Sequence, residues 1–238
     1  MNYNNEFNVK NTFINALKED IRTKDITTDA LIPKDKFAKG IILAKEDFVV
    51  CGLAVALSVF KILDKNIKFK ALVKEGDFVK KGKAIAKFSG RARSILTAER
   101  VALNFLSILC GISTTTRKFV NAVKPFKTKI IDTRKTIPGL RMLEKYAVRI
   151  GGGFNHRISL DEMIMIKDNH LKVLGSRFWV LGLEKKLRGI KTEIEVRTLK
   201  EFNKALKLKP HIIMLDNMSI KDMREVVILR NSLSPNTQ

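Results

Sequence analysis

Four short apolar segments that alternate with helical segments restrict the fold of the second half of the chain. Two helical segments between them are LRMLEKYAVRI and TLKEFNKAL. The alternation of strands with amphipathic helices is typical of a parallel sheet or an α/β barrel. We therefore predict parallel α/β architecture from about residue 112. The predicted strands are KIIDT (129–133), EMIMIKD (162–168), TEIEV (192–196) and HIIMLD (211–216).

The first part of the chain has a different pattern. Apolar residues at helical spacing predict a helix near residues 13–21, and the following KDITTDALIP is interpreted as a turn into an extended segment. Extended segments on either side of residues 75–77 predict a β-hairpin. A long amphipathic helix is predicted in SILTAERVALNFLSILCG, with Thr97 as its cap and Gly111 at its end.

The chain is strongly basic. Its 238 residues carry a formal net charge of +22, which suits either nucleic-acid binding or a lysine-rich surface around an anion site. The basic residues are spread along the whole chain, and aromatic residues make up only 7% of it. Stacking platforms for bases are therefore not indicated. The distribution favours the anion-site interpretation, since a basic surface also attracts small anionic substrates.

Location is predicted from the cysteines and the apolar segments. Cys51 and Cys110 lie in apolar surroundings, which indicates buried reduced thiols rather than a disulfide. The N-terminal segment is polar and lacks the apolar region of a secretory signal. The longest apolar run, Phe48–Phe60, is shorter than the roughly 20 residues that span a bilayer and is interpreted as a buried helix. We expect a cytoplasmic protein without a membrane segment.

Charged side chains follow the predicted strands where they end. Because the carboxyl ends of parallel barrel strands meet on one face, we expect these side chains to form one pocket. A group of cations suits a ligand with several carboxylates or phosphates, and carboxylates suit Mg²⁺ or sugar hydroxyls. The cations are Arg134, Lys135, Arg157 and Lys167, with His156 beside them, and the carboxylates are Glu195 and Asp216.

Individual residues near these strand ends have simpler interpretations. Glu193 is predicted to be an exposed partner in an ion pair, residues 151–153 (GGG) to be a loop, and His211 to be structural. The sequence has no Ser/His/Asp or Cys/His arrangement that would indicate a protein nucleophile. The site is therefore predicted to act through binding and electrostatics.

The segments that carry these residues resemble the quinolinate phosphoribosyltransferase family. The most specific is DTRKTIPGLRMLEKYAVRIGGGFNHRISLDEMIMIKDNH, preceded by EGDFVKKGKAIAKFSGRARSILTAERVALNFLSILCGIST. EDIRTKDITT and IIMLDN also match, so the resemblance runs from about Leu17 to Asn217. It implies an α/β fold, with an N-terminal α/β sandwich-like domain at 1–111 and an incomplete parallel α/β barrel at 112–238.

The resemblance implies a reaction. The phosphoribosyl group of phosphoribosyl pyrophosphate would pass to quinolinate, giving nicotinate mononucleotide, CO₂ and pyrophosphate in de novo NAD biosynthesis. Mg²⁺ would be bound with phosphoribosyl pyrophosphate, without metal ligands assigned to the protein. Arg100 would reach the neighbouring subunit's site, which implies a homodimer with shared active sites, or a higher oligomer.

The resemblance also implies a role for each candidate residue. Arg134, Lys135, His156, Arg157 and Lys167 would hold the quinolinate carboxylates and the phosphates, with Thr133 beside them. Glu195 and Asp216 would face the ribose hydroxyls and Mg²⁺. The candidate catalytic residues are Lys135, Lys167, Glu195 and Asp216.

Two departures from the family pattern affect these expectations. Arg197 stands where an acidic residue is frequent in the family. The printed sequence ends in the polar segment RNSLSPNTQ, without a counterpart of the family's last two strands and their glycine-rich phosphate-binding loops. We therefore expect measurable quinolinate binding but weak binding of phosphoribosyl pyrophosphate. The alternatives are a weakly active or inactive dimeric binding protein, a nucleic-acid-binding protein, and a phosphoribosyltransferase with another acceptor.

Overall fold

A computed structural model describes residues 9–175 and 189–233 of the chain. The chain divides into two compact units, Met1–Ile158 and Ser159–Gln238. Both units combine helices and strands, which confirms the predicted α/β class.

The first unit is built on helices and a small antiparallel sheet. Its helices are α1 (Val9–Ile21), α2 (Ile26–Leu31), α3 (Leu53–Leu63), α4 (Ala92–Ala122) and α5 (Arg141–Ile150). Its strands are β1 (Phe37–Leu43), β2 (Phe48–Val49), β3 (Lys68–Ala71), β4 (Phe78–Val79) and β5 (Ala84–Arg91). The strand order is β1-β5-β3 in one antiparallel sheet, and β2 pairs with β4 separately. The predicted hairpin is therefore wrong in its pairing, because β3 pairs with β5 and not with the intervening β4.

Two further local predictions are wrong. Asp25 begins a helix, α2, where an extended segment was expected, because its Oδ1 accepts a hydrogen bond from Thr28 N at 3.0 Å. The apolar run Phe48–Phe60 is not one helix, since its first residues form β2 and α3 begins at Leu53.

Helix α4 is longer than predicted at both ends. It begins at Ala92, so Thr97 lies inside it, and it continues past Gly111 to Ala122. The polar residues beyond Gly111 remain helical because they bond to strand β2. Ser113 Oγ donates to Val49 O at 2.8 Å, and Thr114 Oγ1 accepts from Val49 N at 2.9 Å.

One stripe of α4 forms the centre of the first unit's hydrophobic core. Eleven of its residues are buried, and the helix packs against α3, α5 and β2. Within residues 9–175 and 189–233, α4 is the one helix long and apolar enough to cross a membrane by length and composition. Because one stripe of α4 is buried in the core of the first unit, its apolar character is that of a core helix.

The three glycines after α5 allow the chain to pass close to α4. A Cβ atom on Gly151 would lie 2.6 Å from the carbonyl oxygen of Ser113 and 2.5 Å from Cβ of Thr116. Gly152 has a φ of +95°, which is strained for residues with a side chain. These glycines are therefore required by packing and backbone conformation, beyond the loop predicted from sequence.

Replacing Gly151 with alanine should lower the free energy of unfolding by about 1–3 kcal/mol, because the new methyl group overlaps the backbone of α4. Gly111→Ala is the matched control, since a Cβ there meets nothing within 4 Å. That helical substitution should raise stability by up to about 1 kcal/mol. Urea denaturation of both variants measures the difference, and equal stabilities would contradict the packing argument.

The second unit contains a parallel three-stranded sheet. Its strands β6 (Ile164–Ile166), β7 (Thr192–Val196) and β8 (Ile212–Leu215) lie in the order β6-β7-β8. Helices α6 (Asp168–Leu174), α7 (Leu199–Lys207) and α8 (Ile220–Leu233) accompany them. Ile194 and Val196 of β7 pack with Phe202 of α7 in the core. Three of the four predicted strands are confirmed, and the three strands form an open sheet.

The fourth predicted strand, at residues 129–133, is reduced to a single parallel bridge in the first unit. Ile131 pairs with Phe154, with Phe154 N donating to Ile130 O at 2.8 Å and Asp132 N donating to Phe154 O at 3.1 Å. At the other end of the chain, α8 includes the first residues of RNSLSPNTQ, and residues 234–238 lie outside the described part.

Candidate active site

Asp132 connects the two segments that carry the predicted cations of the first unit. Its Oδ1 accepts from Lys145 Nζ at 2.5 Å and from the backbone N of His156 at 2.8 Å, and its Oδ2 accepts from Asn155 Nδ2 at 2.6 Å. Lys145 also donates to the carbonyl oxygen of His156 at 3.0 Å. One buried carboxylate and one buried ammonium therefore fix the DTRKT segment (132–136) beside the FNHR segment (154–157).

The DTRKT segment turns sharply after Asp132. Thr133 Oγ1 accepts from Lys135 N at 3.0 Å, and Thr136 N donates to Arg134 O at 3.0 Å. Lys135 is exposed, whereas Nε of Arg134 is buried and has no hydrogen-bond partner in the described part of the chain. A buried donor of this kind is costly unless an acceptor reaches it, so the position suits an anionic ligand.

Asp132 and Lys145 thus hold together two segments that carry five of the predicted site residues. These residues are Thr133, Arg134, Lys135, His156 and Arg157. Arg157 is buried, and His156 is partly buried. Asn155 and the ion pair of Asp132 with Lys145 were not among the predicted site residues. A lysine between Glu144 and Tyr146 in an amphipathic helix normally faces solvent, so no sequence pattern indicates that Lys145 is buried.

Arg100 lies elsewhere in the first unit. It is exposed on α4 and lines a cavity of about 950 Å³ whose lining includes no residue of the segment 132–157. Strand β1 supplies apolar side chains to the same cavity, among them Phe37 and Ile41. Further cations around it are Lys36, Lys39, Lys45 and Lys118. Within the described first unit, Arg100 is therefore part of a separate surface.

The second unit brings the remaining predicted residues together at the carboxyl ends of its strands. Lys167 follows β6, Glu195 lies in β7, and Asp216 follows β8. Lys167 Nζ lies 3.4 Å from Glu195 Oε2. The residue that connects them is Arg197, directly after β7, whose Nε donates to Asp216 Oδ2 at 3.0 Å and whose Nη2 lies 4.0 Å from Glu195 Oε1.

Asp168 is a third carboxylate of this cluster. Its Oδ2 lies 3.0 Å from Nη1 of Arg197 and 3.2 Å from Nζ of Lys172. The hydrogen bond from Lys172 is the main cause that lowers the pKa of Asp168, and the charge of Arg197 adds to it. The hydrogen bond to Asp216 in turn raises the pKa of Arg197. The carboxylate and the guanidinium are therefore both charged at neutral pH.

The donor set of this cluster does not fit a resident metal ion. Among the residues that the structure describes, no group of three or more histidine, cysteine or acidic side chains is arranged to hold one. The three carboxylates of the cluster are directed at one guanidinium. A Mg²⁺ ion held by protein side chains alone is therefore not supported at this cluster.

Two simpler interpretations from the sequence have different outcomes. Glu193 is only 1% exposed, so the prediction of an exposed ion-pair partner is wrong. Alternation along β7 puts Glu193 and Glu195 on one face, opposite the residues that pack on α7. His211 is structural as predicted, since its Nδ1 accepts from Thr192 N at 3.1 Å and its own N donates to Thr192 O.

Comparison with known proteins identifies relatives of this chain. Residues 25–110 match the N-terminal domain of quinolinate phosphoribosyl transferase, and residues 112–237 match the C-terminal domain. The chain belongs to the quinolinate phosphoribosyltransferase family. It is similar to a probable carboxylating nicotinate-nucleotide pyrophosphorylase of Synechocystis, at 40% identity over 92% of this chain and 75% of the relative. A Bacillus subtilis relative with the same description is 39% identical, over 90% and 74%.

Solved structures of this family share the fold. A nicotinate-nucleotide pyrophosphorylase from Ehrlichia chaffeensis superposes with a TM-score of 0.89 at 36% identity, covering 95% of this chain and 83% of that one. The corresponding protein of Francisella tularensis gives a TM-score of 0.86 at 39% identity, with 94% and 80% covered. Membership of the family does not favour the alternative of a nucleic-acid-binding protein.

Proposed function

We propose that this chain transfers a phosphoribosyl group from phosphoribosyl pyrophosphate to quinolinate and decarboxylates the product. The observation that carries the proposal is the buried Nε of Arg134, which has no acceptor in the described part of the chain. Lys135 is its neighbour in sequence, and Arg157 belongs to the segment that Asp132 and Lys145 hold beside DTRKT. A guanidinium offers bidentate geometry to a carboxylate, so this segment suits a dicarboxylic substrate.

The chemistry needs positioning and charge rather than a protein nucleophile. The ring nitrogen of quinolinate donates its electron pair to C1′ of the ribose, and the C1′–oxygen bond breaks with its pair leaving on pyrophosphate. Holding both reactants in line lowers the entropic barrier. A cation such as Lys135 would stabilise the leaving pyrophosphate.

Decarboxylation follows from the charge that the first step creates. The alkylated ring nitrogen is positive, so it stabilises the electron pair that remains on the adjacent carbon when the carboxylate leaves as CO₂. A proton from solvent then completes nicotinate mononucleotide. Glu195 and Asp216 would orient the ribose hydroxyls, because carboxylates accept hydrogen bonds from them. Mg²⁺ bound to phosphoribosyl pyrophosphate would neutralise part of the charge of its pyrophosphate group.

The direct test is product formation from quinolinate and phosphoribosyl pyrophosphate with Mg²⁺. Nicotinate mononucleotide, CO₂ and pyrophosphate should appear in equal amounts. Nicotinate as acceptor is the control, since it lacks the carboxylate that is lost. Turnover of nicotinate but not of quinolinate would overturn the proposal in favour of another acceptor.

We further propose a homodimer with shared active sites. Large apolar side chains are exposed around Arg100, including Phe37 and Ile41 of β1 and Leu96 of α4. An exposed apolar surface of this kind is typical of a subunit interface. A second copy of the chain covering it would bring Arg100 against the partner's site.

Hybrid dimers test this arrangement. Arg100→Ala and Lys135→Ala chains should each be inactive alone, because every site lacks one cation. Mixed chains should recover activity, since a hybrid dimer contains one site with both residues intact. Hybrids are identified by a tag on one chain, and Lys127→Ala, an exposed lysine, is the control. Hybrids without activity would exclude sharing.

Domain division and location are also proposals. The matched segments 25–110 and 112–237 support domains at 1–111 and 112–238, although α4 crosses this boundary and the packing of α5 on α4 attaches residues 112–158 to the first unit.

A cytoplasmic location is supported by the cysteines. Cys51 N donates to Cys110 Sγ at 3.3 Å, both thiols are free, and burial raises the pKa of Cys110 to about 11.

A further inference from the structure

Arg197 contacts acidic residues from all three strand ends of the second unit. Asp168 follows β6 and Asp216 follows β8, and each lies 3.0 Å from a different nitrogen of the guanidinium. Glu195 of β7 lies 4.0 Å from the third nitrogen. The backbone of Arg197 is fixed as well, since its N donates to Glu201 Oε2 of α7 at 2.8 Å.

In the described part of the chain, the three carboxylates of the cluster pair with three protein cations. Arg197 is joined by Lys167, 3.4 Å from Glu195, and by Lys172, 3.2 Å from Asp168. Three carboxylates that converge without cations would repel one another and attract a divalent ion. The guanidinium lies between the three carboxylates, and its planar fork faces them in three directions.

We infer that Arg197 is a positioning residue that takes the place of a divalent cation between Asp168, Glu195 and Asp216. It fixes the orientation of Glu195 and Asp216 toward the ribose and prevents the free protein from taking up Mg²⁺ there. Divalent metal is then confined to the ion that arrives with phosphoribosyl pyrophosphate. The role toward the ribose rests on the proposed function, whereas the exclusion of metal does not.

The first experiment measures binding of Mg²⁺ alone by calorimetry, without substrates. We expect no saturable binding to the unsubstituted chain, and binding with a dissociation constant on the order of millimolar to Arg197→Gln. Lys172→Gln is the matched control and should leave Mg²⁺ unbound, because among the described residues Lys172 pairs with Asp168 and not with Glu195 or Asp216. Arg197→Gln combined with Glu195→Gln should lose the acquired binding.

The second experiment separates positioning from general stability. In Arg197→Gln the KM for phosphoribosyl pyrophosphate should rise about 10- to 100-fold, while the KM for quinolinate stays within about twofold. Arg197→Lys keeps the charge but cannot contact three carboxylates. Its KM for phosphoribosyl pyrophosphate should therefore lie between those of the unsubstituted chain and Arg197→Gln. It replaces Arg197→Gln if that variant does not fold.

Three results would overturn the inference. They are saturable Mg²⁺ binding by the unsubstituted chain, Mg²⁺ binding by Lys172→Gln equal to that of Arg197→Gln, or Arg197 variants that bind no Mg²⁺. Absence of product from the unsubstituted chain would instead overturn the proposed function, and the metal titration would still decide the exclusion of Mg²⁺.

Discussion

Alanine in place of Arg134 should weaken quinolinate binding by about 30- to 5000-fold, which corresponds to roughly 2–5 kcal/mol. The side chain holds a buried Nε without an acceptor in the described part of the chain. A substrate carboxylate would be that acceptor, so truncation leaves the carboxylate desolvated and unpaired. The loss should therefore be far larger than that of one exposed ion pair.

Calorimetric titration with quinolinate alone measures this effect without turnover. Arg224→Ala, at an exposed arginine on α8, is the control for loss of one positive charge and should leave affinity within about twofold. Arg134→Lys should retain part of the affinity, since an ammonium keeps the charge but lacks the bidentate fork. Equal affinity of Arg134→Ala and the unsubstituted chain would remove Arg134 from the binding site.

Elements whose burial follows a simple periodicity could be predicted from the sequence. Strand β7 is the predicted TEIEV, and α7 follows from the spacing of Phe202 and Ala205, which face the core. Hydrogen bonds account for two of the predictions that were wrong. Asp25 caps a helix in a segment that resembled a strand, and bonds to β2 extend α4 beyond Gly111.

The predicted site residues are placed on two units, and the residues that organise them were not predicted. Asp132 and Lys145 are 13 positions apart, and their pairing depends on how α5 packs. Arg197 departs from the family pattern in the sequence, but its three acidic contacts join strand ends that are distant in sequence. Long-range polar contacts have no periodicity, so the sequence shows the charges but not their partners.

The ion pair of Asp132 and Lys145 gives the largest expected effect on stability. Lys145→Met keeps the length of the side chain and removes its charge, and it should lower the free energy of unfolding by about 3–5 kcal/mol. The two side chains are 8% and 3% exposed, so water cannot replace the lost ammonium around the carboxylate. Urea denaturation monitored by circular dichroism measures the change.

Lys80→Met is the matched control for this substitution. Lys80 pairs with Asp47 at 2.7 Å, but these side chains are 75% and 43% exposed, so water solvates the carboxylate when the lysine is lost. We expect no measurable change in stability there. Because Asp132 also binds Asn155 and the backbone of His156, Lys145→Met should weaken quinolinate binding even where the variant is folded. Equal stabilities of the two lysine variants would show that the buried pair does not hold the DTRKT segment beside the FNHR segment.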